Sequence, residues 1–271
     1  MPSIIPHAEL AAPEAYMEKH KGNYPPEEMY KGIDDGPKFN QGAYRSQKNP
    51  HAAFAAMINV LDNQVGDIMA KVEKLGLSKN TIIIFTSDNG PHREGGADPE
   101  YFDSNGPLKG LKRDLYEGGI RVPMIVRWPG KVTPNSKTDH ISAFWDVFPT
   151  FSEIVGIAAP NELDGISFLP TLLQKDNQEQ HDYLYWESHE KRGGRQAIRK
   201  GDWKVVKYGV LSNPESPIEL YNLKDDLGEE NNIAPLHTEV VKEMQSIFDT
   251  ARTESKVFTF SSDTDLTKNL E

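Results

Sequence analysis

The chain has 271 residues, 30 Lys and Arg against 41 Asp and Glu, a formal charge of −11 and no cysteine. This balance excludes a protein that grips nucleic acid or anionic membrane over its whole surface, and the missing thiols exclude disulfides, thiolate metal sites and a cysteine nucleophile. No apolar run reaches the roughly 20 residues of a spanning helix, and Met1-Pro2-Ser3-Ile4-Ile5-Pro6-His7 lacks the basic start and apolar stretch of a signal peptide.

Residues 1–50 are rich in Pro, Gly, Tyr and charge, and their thin apolar content predicts a long surface excursion, without a core of its own, laid over another part of the protein. After Asn49-Pro50, Phe54, Met57, Ile58, Leu61, Val65, Ile68, Met69 and Val72 recur at helical spacing, with Gly76 as a stop. Thr81-Ile82-Ile83-Ile84-Phe85-Thr86 follows, a β-branched run without alternation that suits a strand covered on both faces. A Gly-rich polar loop leads to a second such strand, Val122-Pro123-Met124-Ile125-Val126-Arg127-Trp128. The spacing over 142–154 predicts a helix interrupted by Pro149. From about His181 the texture changes to short strands at Tyr183–Trp186, Gln196–Arg199, Trp203–Val206 and Glu219–Tyr221, which read as an antiparallel sheet with a turn at Lys200-Gly201-Asp202. A helix over 239–253 and a frayed end complete the chain. Two or three buried strands are too few for a parallel sheet, so the pattern predicts part of a larger α/β domain.

Two stretches carry chemistry. Ser87-Asp88-Asn89-Gly90 places an acid and an amide at the C-terminal end of a parallel-type strand, where α/β sheets set their ligands. Their hard oxygens suit Ca²⁺ or Mg²⁺, although such residues also form ordinary Asx turns. The second runs from Gly106 to Pro123 and holds Lys109, Lys112, Arg113 and Arg121 between glycines. It is either an anion-transferring site or a solvated basic loop with Arg121 paired to Glu117.

In combination, Ser87-Asp88-Asn89-Gly90 and Lys112 ahead of Glu117-Gly118-Gly119-Ile120-Arg121-Val122-Pro123 closely resemble the type I sulfatases, arylsulfatase-like enzymes of alkaline-phosphatase-like fold. Leu61–Gly66, Asn80–Phe85 and Pro6-His7 resemble the same family. The resemblance implies an α/β fold: a partial alkaline-phosphatase-like sheet flanked by helices over 1–180, then an antiparallel-sheet-plus-helix α+β subdomain over 181–271. It implies that Asp88 and Asn89 are half of a Ca²⁺ site. Lys112 would contact the sulfate ester, and His7 would bind the sulfate or protonate the leaving oxygen, against the plain alternative of a capping or surface histidine.

The chain departs from the family pattern where the nucleophile is concerned. The family makes formylglycine from the Cys or Ser of a C/S-x-P-x-R motif, and no Ser here is followed by x-Pro-x-Arg. Asp34-Asp35, the only double Asp before the helix, follows His7 in the wrong order for the rest of the metal site. The expectation is therefore a C-terminal portion of a sulfatase, inactive alone, with exposed sheet edges that favour self-association. His92, Arg93 and Glu94 follow the metal motif, and Trp186, Glu187 and His189 sit in a loop expected to face the same cleft, Trp186 stacking on a sugar or else serving as core. With Tyr101, Asp103 and Asn105 they favour a sulfated glycan of galactose type over a flat aryl substrate. The other readings are a non-catalytic metal- or anion-binding relic that works through a partner, and a phosphatase of the same superfold, which would carry His-rich bimetal spacing. The family is often periplasmic or secreted; the sequence leaves the location open.

Overall fold

The computed structural model describes residues 2–34, 44–190, 193–213, 215–255 and 257–258. The chain divides into two compact units, one of residues 1–83 and 90–106, the other of residues 84–89 and 107–271.

The first unit is built on a long helix, here after α1 (Glu14–His20) called α2 (Pro50–Lys74). Pro50 opens α2, where a missing N–H costs nothing, and Lys71 and Lys74 sit at its negative end. Glu27 takes the orphan N–H groups of His51 and Ala52 on its two carboxylate oxygens, at 3.0 and 2.9 Å. Only the opening turns of α2 are buried. Ala53 and Ala56 present little bulk there, so Leu10 and Met17 pack in beside Met57. Residues 1–50 therefore lie over α2 without a core of their own, and the alanines on that helix make a few large side chains sufficient.

Gly66 lies in the interior of α2 with nothing within 4 Å of the position a Cβ would take. Gly66→Ala should raise stability by about 0.5–1 kcal/mol, because alanine loses less backbone entropy in a helix. The check is a shift in urea midpoint at unchanged slope; an unshifted midpoint would mean this stretch is frayed in solution.

The second unit opens on β1 (Ile83–Thr86), paired with β2 (Met124–Arg127) in a two-stranded sheet. Both were expected to be covered on two faces. Instead Phe85, Met124 and Ile125 are exposed, Ile125 by 64%. Two strands cannot be sandwiched as a wide sheet can, which is the structural form of the strand shortage legible in the sequence. Between them lies the short helix α3 (Glu117–Ile120). Helix α4 (Val147–Val155) is not interrupted by Pro149, which falls in its first turn, where a helix tolerates proline. Gly156, at φ +73°, ends it. The single turn α5 (Leu169–Leu172) follows.

The antiparallel sheet runs in the order β3 (Leu184–Ser188), β4 (Arg195–Lys200), β5 (Trp203–Tyr208), β6 (Glu219–Asn222). Lys200 pairs with Trp203 across a two-residue turn whose Gly201 has φ +58°, as the sequence predicts. Side chains alternate across the sheet. One face places Ile198, Val205 and Leu220 against Met244 and Phe248 of α6 (Thr238–Ala251). The other places Ala197 and Val206 against Leu115, with Trp186, Tyr208 and Tyr116 around them. That second face receives the segment carrying Lys112.

Candidate active site

Lys112 stands in a tight turn. The Asp114 N–H donates to the Leu111 carbonyl at 2.8 Å, and Asp114 Oδ2 accepts the Leu111 N–H at 3.0 Å. Arg113 holds φ +80°, a left-handed conformation a non-glycine residue adopts only under constraint. The Gly118 N–H donates to Lys109 at 2.7 Å, closing the loop. Gly119 is pressed against it: a Cβ there would stand 2.2 Å from the Asp114 carbonyl oxygen and 2.6 Å from that of Leu111. The backbone under Lys112 is thus fixed by contacts only glycine permits.

Glu117 anchors the same segment. Its carboxylate is buried and accepts from Lys204 Nζ at 2.8 Å and from Arg199 at 3.2 Å, with Arg121 at 3.7 Å. Burial alone would raise this carboxyl; Lys204, Arg199 and Arg121 outweigh it and hold it below its ordinary value. Its N–H donates to Glu229 Oε2 at 2.6 Å. Glu229 is fully buried, and burial pushes its carboxyl up to about 7 against the pull of Lys204. Arg121 thus faces Glu117 in the pairing that the solvated-loop alternative foresaw.

Asp88 and Asn89 follow β1 in this second unit, Asp88 exposed and Asn89 half-buried. The Ser87 hydroxyl donates to the Asn89 carbonyl at 2.8 Å, which makes the turn. Trp186 and Glu187 belong to β3 rather than to a loop, and by its alternation they point to opposite faces of the sheet. Trp186 packs on Trp145 at 5.8 Å between ring centroids, with Lys204 Nζ 5.5 Å from its ring. Glu187 accepts from Tyr185 at 2.6 Å and Arg252 at 2.9 Å, and His189 lies 3.4 Å from it.

In the first unit two histidines meet. His7 stacks on His92 at 5.0 Å between ring centroids, with Tyr44 edge-on at 6.1 Å. His7 Nδ1 donates to the Ala8 carbonyl at 2.8 Å. His92 Nδ1 accepts the Glu94 N–H at 3.1 Å and lies 3.0 Å from its carboxylate, while Nε2 donates to the Pro6 carbonyl at 3.2 Å. Arg93 pairs with Glu100 at the surface. Tyr101 stacks on buried His51 at 3.9 Å, which commits one face of its ring. Asp34 accepts the Ser46 N–H at 2.7 Å, and Asp35, its neighbour in the double Asp, lies outside the described residues.

The sequence reading missed the Glu117–Lys204–Glu229 network. A signal was present: Lys204 alternates with Trp203 and Val205 in a strand whose neighbours are apolar, so a charge had to point at a buried face.

The second unit thus sets a glycine-locked lysine and an acid–amide pair that follows a strand within an α/β fold. The chain belongs to the sulfatase family, whose model matches residues 3–157, and the model of the N-sulphoglucosamine sulphohydrolase C-terminal region matches residues 110–254. The chain is 34% identical to an N-acetylgalactosamine-6-O-sulfatase of Bacteroides thetaiotaomicron over 75% of this chain and 44% of that protein. It is 33% identical to a sulfatase of Formosa agariphila over 69% of this chain and 36% of that one. Among solved structures it resembles Ps i-CgsB in complex with k-i-k-neocarrahexaose, at 27% identity and TM-score 0.67, covering 89% of this chain and 48% of that one. It also resembles BT4656 in complex with its substrate D-glucosamine-2-N,6-O-disulfate, at 26% identity and TM-score 0.60, over 75% of this chain and 40% of that one. The chain spans less than half the length of these relatives.

Proposed function

We propose that the protein works in hydrolysis of sulfate monoesters on a sulfated carbohydrate, with the Lys112 ammonium on the ester oxygens. The locked backbone of Lys112 carries this reading, since a cation stabilises developing charge best when it need not reorganise. His7 commits Nδ1 to the Ala8 carbonyl. Arg121 and Trp186, in the same unit as Lys112, are offered to the sugar and its sulfate, while Glu187 leaves β3 on the face opposite Trp186. Support for a carbohydrate comes from the relatives, whose names specify sulfated amino sugars.

Asp88 and Asn89 offer a carboxylate and an amide oxygen, donors that fit Ca²⁺ or Mg²⁺. Among the described residues no group of three or more His, Cys, Asp or Glu is placed to hold a metal, so these two would supply part of the roughly six to eight oxygens Ca²⁺ takes. Such an ion, when bound, draws charge off the ester oxygens.

Without Cys or a Ser-x-Pro-x-Arg motif, the chain alone should bind but not turn over. Lys112→Ala should weaken binding of N-acetylgalactosamine 6-sulfate about tenfold in calorimetry, the loss of one charge-assisted hydrogen bond. Equal affinity would remove Lys112 from the site. Release of nitrophenol from 4-nitrophenyl sulfate should not exceed that of Lys112→Ala, and a higher wild-type rate would mean a nucleophile within the chain.

The exposed Phe85, Met124 and Ile125 on the two-stranded sheet, with Phe148, Phe151 and Val155 of α4 also uncovered, favour self-association. Light scattering should show a mass that grows with concentration; a constant monomer mass would refute it.

A further inference from the structure

Within the second unit, a cavity of about 470 Å³ is lined by Lys109, Gly110, Asp114, Tyr116, Tyr208 and Glu219. Its volume lies in the range of small-molecule sites, roughly 300–1,000 Å³. Two tyrosine rings form one wall, Tyr116 and Tyr208, tilted by 33° with centroids 5.6 Å apart. Two carboxylates are fixed by tyrosine hydroxyls. Tyr116 and Tyr221 donate to Glu219 Oε2 at 2.5 and 2.9 Å, and Tyr208 donates to Asp114 Oδ1 at 3.4 Å. Both bonds on Glu219 fall on one oxygen, so Oε1 keeps its acceptor capacity.

The charges select among ligands. A sulfate or phosphate would meet Asp114 and Glu219. A cation would meet Lys109, whose ammonium already sits 4.2 Å from the Tyr116 ring centroid while donating to the Glu229 carbonyl at 2.9 Å. A neutral polyol meets neither conflict: its apolar face stacks on tyrosine, and its hydroxyls donate to carboxylate oxygens. The cavity also has an address. Lys112 stands two residues from both Gly110 and Asp114, which puts its Cα within about 7 Å of theirs.

We infer that this cavity is a subsite for an uncharged, unsulfated pyranose, one that neighbours the sulfated sugar in the same glycan. The inference rests on the carbohydrate reading above, and it adds a site for the part of the substrate that carries no sulfate.

Saturation-transfer NMR on the 271-residue chain tests it with methyl β-galactopyranoside as the neutral probe and N-acetylgalactosamine 6-sulfate beside it. The neutral probe should receive saturation in the wild type, lose at least threefold in Tyr208→Ala and Glu219→Gln, and hold in Lys112→Ala. Tyr208→Phe, which keeps the ring, should retain most of the signal and guards against misfolding of the alanine variant. Equal neutral signal in wild type and both cavity variants overturns the subsite. So does a sulfated sugar bound through Lys112 with no neutral binding, an outcome that spares the sulfatase reading. So does stronger saturation of tetramethylammonium than of the galactoside. Neutral binding in the cavity without any binding of the sulfated sugar keeps the subsite and counts against the role of Lys112.

Discussion

Gly119→Ala should cost about 3 kcal/mol or more and abolish Lys112-dependent binding of a sulfated sugar. The added methyl would stand 2.2 Å from the Asp114 carbonyl oxygen and 2.6 Å from the Leu111 carbonyl oxygen. Both are backbone atoms, so no side-chain rotation relieves the clash, unlike overpacking against a flexible neighbour. The turn itself must open, and the turn is what holds Lys112. The Gly119 N–H donates to the Tyr116 carbonyl at 2.9 Å, a bond that would be lost with the movement. The measurement is a paired one, urea denaturation for stability and calorimetry for binding. Gly106→Ala, at a glycine with nothing within 4 Å but φ +53°, serves as a comparison in the next stretch of chain. It should lose only the cost of a left-handed alanine, about 1 kcal/mol. If Gly119→Ala binds the sulfated sugar like the wild type, the turn is not what positions Lys112.

The sequence carries the α/β fold in its periodicities because both of its signals are local. The antiparallel sheet is readable within a residue or two from Gln196–Arg199 and Trp203–Val206, since a two-residue turn with Gly201 fixes the register. The long helix is equally legible from its apolar spacing. What local pattern cannot supply is who covers a face. Ile82-Ile83-Ile84-Phe85 reads as buried on both sides, yet Phe85 is 37% exposed, because apolar content specifies a need for cover and not its source. The same limit governs the site. Lys112, Asp88 and His7 stand out through motif resemblance, while the contacts that anchor Glu117, five residues after Lys112, come from residues far along the chain. Glu117 meets Lys204 across 87 positions and Glu229 across 112. Alternation around Lys204 says that a cation points inward; only the register of β4 and β5 brings it to Glu117. Trp186 and Glu187 show the complementary lesson, since adjacent residues in a strand cannot serve one cleft through side chains that leave on opposite faces.

The long-range network yields the other large effect. Lys204→Met should destabilise the protein by about 3–5 kcal/mol at pH 7, because it leaves the buried Glu117 carboxylate short of its nearest cation. The pH dependence separates this from lost packing. Glu117 is held below its ordinary value in the fold, so its contribution is present above the unfolded carboxylate range and disappears as pH falls through the folded value. The penalty of Lys204→Met should therefore shrink towards pH 4, where protonation removes the stranded charge. Glu229 acts with the opposite sign. Its carboxyl is raised from 4.5 to about 7 by burial, so the folded state holds the proton more tightly and stability falls as pH rises across that window. Lys204 opposes that rise, and removing it should steepen the decline. Glu229→Gln keeps an oxygen to accept the Glu117 N–H and has no charge to bury. It should match the wild type at pH 4 and exceed it by about 2–3 kcal/mol at pH 8. Denaturation midpoints for the three proteins at pH 4, 6 and 8 decide the matter. Parallel shifts at every pH would show that Lys204 and Glu229 act through shape alone, whereas a fan that opens towards alkaline pH is the signature of charges held in the same buried space beneath the Lys112 loop.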